Sequence, residues 1–235
     1  MNGLMMDFQL TLPTILRRAE TYFPHQEIVT RMPDRSFHTY TFADFGKRAR
    51  QLAVALKGIG LQPGDRVATL CWNHYQHLEA YLGIPCAGYV LHTLNLRLHP
   101  NDLGYIATHA NDKVVIVDRS LLPLWEQFKD KTQIEHVFVV EDSYEELLAG
   151  ANPDDYEDPR LDENTAAAMC YTSGTTGMPK GVLYSHRSTV LHTLGEAFAW
   201  NIGTTGSSVS FSVTCSPSGA TSAWPRVCRT ADRCE

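Results

Sequence analysis

The 235-residue chain is 43% hydrophobic and 20% charged, the balance of an ordinary folded domain and too apolar for a disordered one. A formal charge of -6, with Lys and Arg gathered into no long run, leaves no basic footprint for a nucleic acid. Asp7, Gln9 and Arg17 interrupt the amino-terminal stretch before it resembles a leader, and no window reaches the ~20 apolar residues of a membrane span, so a cytoplasmic location is expected.

Thr41 followed by Asp44 has the pattern of a capping box, and Phe45, Ala49, Leu52 and Leu56 then line one helical face. Gly58 and Gly60 stop that helix, Pro63-Gly64-Asp65 turns the chain, and residues 66–71 read as a strand. A helical stretch around Leu78, Tyr81 and Leu82 leads to the short apolar run Tyr89-Val90-Leu91. Pro100 opens a helix bearing Leu103, Ile106 and Ala107, and Val114-Val115-Ile116-Val117 is an unbroken apolar strand of the kind buried on both faces. Residues 121–128 then read as helix, 136–140 as strand and 143–148 as helix. Strands taking turns with helices predict an α/β domain whose sheet is largely parallel and flanked by helices. The acidic, proline-bearing segment 150–163 is a surface connection.

Beyond it, residues 166–171 and 180–185 read as two strands, and Ser188 as the cap of a helix carrying Val190, Leu191, Leu194 and Phe198. His186 stands at that junction, where it either makes a structural hydrogen bond or lines a nucleotide site. Of the six cysteines, Cys71, Cys86 and Cys170 lie in apolar runs and are expected to be small buried hydrophobes. No CxxC pair occurs, and His74, His77, His92, His99 and His109 are scattered, so no metal centre is expected among them.

The two last strands enclose Tyr171-Thr-Ser-Gly-Thr-Thr-Gly-Met-Pro-Lys-Gly181. Gly174 and Gly177 permit close backbone approach, so that successive N–H groups can turn inward as a nest for an anion. Thr172, Ser173, Thr175 and Thr176 add hydroxyl donors, and Lys180 adds a mobile positive charge. That set suits a polyphosphate. The Walker A spacing is not met, because Lys180 stands three residues after Gly177 instead of one, and Pro179 obstructs a helix starting there.

The run YTSGTTGMPKGVLYSHRS resembles the signature of the adenylate-forming superfamily of acyl-CoA synthetases, luciferases and peptide-synthetase adenylation domains. The resemblance spans roughly residues 10–200 and is strongest to the amino-terminal part of medium- and long-chain fatty-acid–CoA ligases. It implies an ATP-dependent activation of a fatty acid to an acyl-adenylate, then to acyl-CoA, with ATP, Mg2+ and coenzyme A taking part. An aryl-CoA ligase is the rival branch. By the same resemblance Thr172, Ser173, Gly174, Thr175, Thr176, Gly177 and Lys180 hold the ATP phosphates, and Thr172 also touches magnesium. Trp72 and Asn73 are candidates for a substrate or coenzyme channel, whereas Asn95 and Arg97 are expected to fix a loop.

After about residue 205 the pattern breaks: residues 206–235 contain no Leu, Ile, Met, Lys or Tyr. The aromatic-His motif that the resemblance places there is not found. Residues 1–205 are accordingly expected to be a partial adenylation domain, and 206–235 an aberrant tail, frameshifted or disordered. No catalytic residue is assigned within this chain, whose adenine and ribose contacts and lid lysine would lie elsewhere. A shortened, inactive ligase is therefore the expectation, with a non-catalytic nucleotide- or partner-binding fragment as its alternative.

Overall fold

In the computed structural model the described residues are 4–172 and 177–199, with two further strands at Ser208–Cys215 and Thr221–Cys228 described by their backbone. Helix α1 (Leu12–Tyr22) starts with a proline in its first turn and buries Pro13 and Leu16. Strands β1 (Glu27–Arg31) and β2 (Phe37–Thr41) form an antiparallel hairpin whose turn is tied by Asp34, which accepts from both the N–H and the hydroxyl of Ser36. Helix α2 (Phe42–Gly58) begins with the expected capping box: Thr41 Oγ1 accepts the Asp44 N–H at 3.2 Å, and the Asp44 carboxylate accepts the Thr41 N–H at 3.0 Å. Its Phe45, Ala49, Leu52 and Leu56 are all buried.

The central layer follows as β3 (Arg66–Leu70), α3 (Tyr75–Cys86), β4 (Val90–Thr93), α4 (Pro100–Ala110), β5 (Asp112–Val117), α5 (Leu122–Trp125), β6 (His136–Val139), α6 (Ser143–Ala149), β7 (Ala166–Thr172), β8 (Lys180–Ser185) and α7 (His186–Ala199). The sheet runs β6-β5-β3-β4-β7-β8, parallel except for β8, which returns antiparallel to β7. Alternation within the strands feeds two cores. Val67, Val114 and Ile116 pack with Leu52, Leu56, Ala80, Ile84, Tyr144 and Leu148 from α2, α3 and α6. Ala68, Val115 and Val117 face the other way, onto Leu103, Ile106, Trp125 and Phe128. A strand apolar on both faces is what a sheet covered on both sides demands. Outside the first core, Arg48 joins three helices, its guanidinium bonding the fully buried Glu79 at 2.6 and 3.1 Å and Glu145 at 3.0 and 2.8 Å. Strands β9 (Ser208–Cys215) and β10 (Thr221–Cys228) pair antiparallel as a separate hairpin.

Two boundaries differ from expectation. The helix read over 121–128 is only α5, entered through a 3-10 turn at Arg119–Leu121 and followed by another at Lys129–Lys131. Pro123 suits the first turn, and the bend after Trp125 lets Phe128 reach the same core as Trp125. Helix α7 starts earlier than Ser188: its cap is Ser185, whose Oγ accepts the Ser188 N–H at 3.1 Å.

Candidate phosphate-binding loop

An antiparallel strand pair carries the loop. Cys170, Tyr171 and Thr172 lie opposite Val182, Gly181 and Lys180, so the loop leaves the sheet from Thr172 and re-enters it at Lys180. Of the expected phosphate-holding residues, Thr172 is half-buried at the carboxyl end of β7, and Lys180 is exposed at the start of β8. Gly177 has φ +108°, a conformation that L side chains rarely adopt. Ser173, Gly174, Thr175 and Thr176 lie outside the described residues. The chain beyond Lys180 is a strand, whereas a Walker loop runs into a helix whose amino terminus faces the phosphates. The positive charge here is thus a side chain on a sheet edge.

The residue before the loop is held from several directions. Tyr171 has its hydroxyl 2.6 Å from His109 Nδ1 on α4, and its ring lies 5.3 Å from that of His92 on β4. His92 in turn binds both oxygens of Asp112 through Nδ1, at 2.9 and 2.8 Å, and both side chains are fully buried. Burial, with the charge of Asp112 adding to it, pushes the Tyr171 phenol up to about 12, so the hydroxyl beside His109 keeps its proton at neutral pH.

The AMP-binding enzyme family matches residues 16–215. This chain belongs to that family. It is 44% identical over 201 residues to the long-chain-fatty-acid–CoA ligase of Thermus thermophilus, covering 82% of this chain and 36% of that one. Against the medium-chain-fatty-acid–CoA ligase of Ectopseudomonas oleovorans it is 40% identical over 211 residues, covering 84% and 38%. The chain thus spans a little over a third of the length of these relatives. Among solved structures, the long-chain-fatty-acid-CoA ligase FadD1 of Archaeoglobus fulgidus superposes with a TM-score of 0.74 over 84% of this chain and 41% of its own, at 20% identity, a likeness of fold.

In this member of the AMP-binding enzyme family the remaining candidates sort by their contacts. His186 is buried with its Nδ1 accepting the Leu12 N–H at 3.3 Å, which ties the start of α1 to the start of α7; this is a structural bond. Beside it Glu163 accepts the Leu10 N–H at 2.9 Å and pairs with Arg187. Asn95 Oδ1 accepts the Arg97 backbone N–H at 3.0 Å, the loop-fixing role expected of Asn95. Trp72 is 55% exposed, with its indole N–H on Ser120 and its backbone N–H on Asp118.

One cluster escaped the reading of spacings. Cys71, His74 and Asp118 bring ligand atoms within 4.8 Å of one another at the carboxyl ends of β3 and β5, because a parallel register sets distant residues side by side. Its protons are already placed. His74 Nδ1 accepts the His77 N–H that caps α3, so the neutral ring carries its proton on Nε2 and gives it to Asp118 at 2.7 Å. The cluster is a helix cap with its own hydrogen-bond partner, and metal binding would have to break it. Cys71, Cys86 and Cys170 are buried, as their apolar surroundings implied.

Proposed function

We propose that this chain carries the phosphate grip of an ATP-dependent, AMP-forming fatty-acid–CoA ligase. The observation that carries the reading is the β7–β8 register, which sets the Thr172 hydroxyl and the Lys180 ammonium at the two ends of a loop rich in glycine and hydroxyls. In the reaction a fatty-acid carboxylate attacks the α-phosphorus of ATP, pyrophosphate leaves, and the coenzyme A thiol then displaces AMP from the acyl-adenylate. Negative charge grows on the departing pyrophosphate, where Lys180 and the hydroxyls of Thr172, Ser173, Thr175 and Thr176 stabilise it, while Gly174 and Gly177 let the backbone come close. The likeness to long- and medium-chain ligases, 44% and 40% identical, supports a fatty acid over an aryl acid as the substrate class.

Magnesium would enter with the triphosphate. Among the described residues the three-ligand group of His, Cys and acidic side chains lies just past the carboxyl ends of β3 and β5, with β4 between those strands and β7, so Thr172 is not part of it. A single hydroxyl fits an ion that takes its other oxygens from phosphates and water, and such an ion would neutralise the charge of the triphosphate.

We also propose residues 1–205 as a partial adenylation domain and 206–235 as an aberrant tail, out of frame or a natural unrelated end, on the strength of its composition alone. Reading the other frames of the gene tests this: finding no aromatic-His motif in any of them would remove the out-of-frame origin.

The decisive experiment measures binding and turnover on the same protein. Titration of ATP with magnesium should show binding that Lys180→Ala weakens at least tenfold while the thermal midpoint stays within about 2 °C. Equal affinity in the variant would sink the grip. Pyrophosphate release from ATP and decanoate would show a working adenylation site; binding without release would leave a nucleotide-binding but inactive chain.

A further inference from the structure

We propose that Tyr171 is the positioning residue of the phosphate loop, its ring wedged among α4, β4 and β8 so that the two strand ends bearing the loop hold one register. The inference rests on the reading of Thr172 and Lys180 as parts of a polyphosphate grip. Tyr171 and Gly181 form the cross-strand pair next to Thr172 and Lys180, one step inward from the loop. A Cβ built on Gly181 would lie 3.1 Å from Tyr171 Cζ and 3.3 Å from its hydroxyl oxygen, so the ring is laid across the neighbouring strand on the space a glycine leaves open. Gly181 therefore serves the tyrosine.

The other two contacts stop the ring from moving. On α4, His109 Nδ1 shares a hydrogen bond with the Tyr171 hydroxyl at 2.6 Å, and Tyr105 lies 5.5 Å from the His109 ring at an interplanar angle of 30°. On β4, His92 packs against the Tyr171 ring and is itself fixed by Asp112 at the start of β5. A strand end would ordinarily fray or shear against its partner. Here the last residue before the loop is attached to the parallel sheet through β4 and to the covering helix through its hydroxyl. The backbones of Thr172 and Lys180, next along on each strand, inherit that fixed separation. Donors that keep their positions need no reordering when an anion arrives, which is how a preorganised site gains affinity.

The test is calorimetric titration of inorganic tripolyphosphate, with magnesium, into the full chain. The proteins compared are the wild type, Tyr171→Phe, His109→Ala, the double variant and Lys180→Ala. Tyr171→Phe keeps the ring and removes one hydrogen bond, so a loss of roughly three- to tenfold in affinity is expected. His109→Ala should lose a similar factor, and the double variant no more than the larger single loss, because both remove the same bond. Thermal midpoints should stay close to wild type, and amide exchange at residues 180–183 should quicken in Tyr171→Phe. Wild-type affinity in Tyr171→Phe, or losses that multiply in the double variant, would overturn the positioning role while leaving the grip intact. Tripolyphosphate binding that is absent from the wild type, or unchanged in Lys180→Ala, would instead overturn the grip and the inference with it.

Discussion

His77 lies fully buried at the start of α3, its Nδ1–H given to the Trp72 carbonyl at 3.0 Å and its Nε2 accepting from Thr69 at 3.0 Å. Burial, aided by the neighbouring His74, holds it down to about 4, and burial alone does the same to His186. Both rings are neutral in the folded chain where the unfolded chain, with an ordinary value near 6.5, takes up a proton. Their contribution to stability is therefore present above about pH 6.5 and is lost as pH falls toward 4, each adding up to about 1.4 kcal/mol per pH unit to the slope. Urea titrations at half-unit steps from pH 7 to 4 should show this slope, and His77→Gln should flatten it. A variant slope equal to wild type would mean that His77 is protonated without unfolding. At this scale the sequence marked His186 correctly as a polar residue at a junction. It offered no sign that the partner would be the backbone of Leu12, because that bond spans 174 positions.

Helices α2 and α3 approach closely because α3 has a glycine at the crossing. A Cβ added to Gly83 would lie 2.8 Å from the Ala49 carbonyl oxygen and 3.0 Å from Leu52 Cδ2, and the first of these is backbone that cannot step aside. Alanine in a helix interior is ordinarily better than glycine by about 1 kcal/mol, but overpacking here costs about 1–3 kcal/mol and should win. Gly83→Ala is expected to lower the urea midpoint with an unchanged slope; a raised midpoint would show that the helices separate freely. Element scale is also where local reading succeeded best. The Thr41–Asp44 box and the apolar face of α2 are written within one segment, so both are present as expected. Ser188 was misjudged as a cap because Ser185, the last residue of β8, is equally able to serve, and only the end of the strand decides between them.

Across the whole molecule, the apolar stripe of α7 is real but poorly covered: Val190 is buried, while Leu191, Leu194 and Phe198 are exposed, as are Val182 and Leu183 on β8. Large apolar side chains left exposed along one helix are prone to association. Sedimentation velocity should show concentration-dependent association of the chain, reduced by Leu194→Ser combined with Phe198→Ser. A wild type that stays monomeric at every concentration would show that this face is not adhesive.

Local sequence is enough for the order of strands and helices from α2 to α7 and for the family, since helix and strand periodicity and a run of glycine, hydroxyl and lysine residues are all local properties. Tertiary structure decided the strand order β6-β5-β3-β4-β7-β8, the antiparallel return of β8, and the surroundings of Tyr171. His109 and Tyr171 stand 62 positions apart and His92 and Asp112 stand 20 apart, and these pairs meet through packing and register. A contact closed by a crossover leaves no periodic trace in either partner, so the loop could be recognised from its residues while the frame that holds it required the fold.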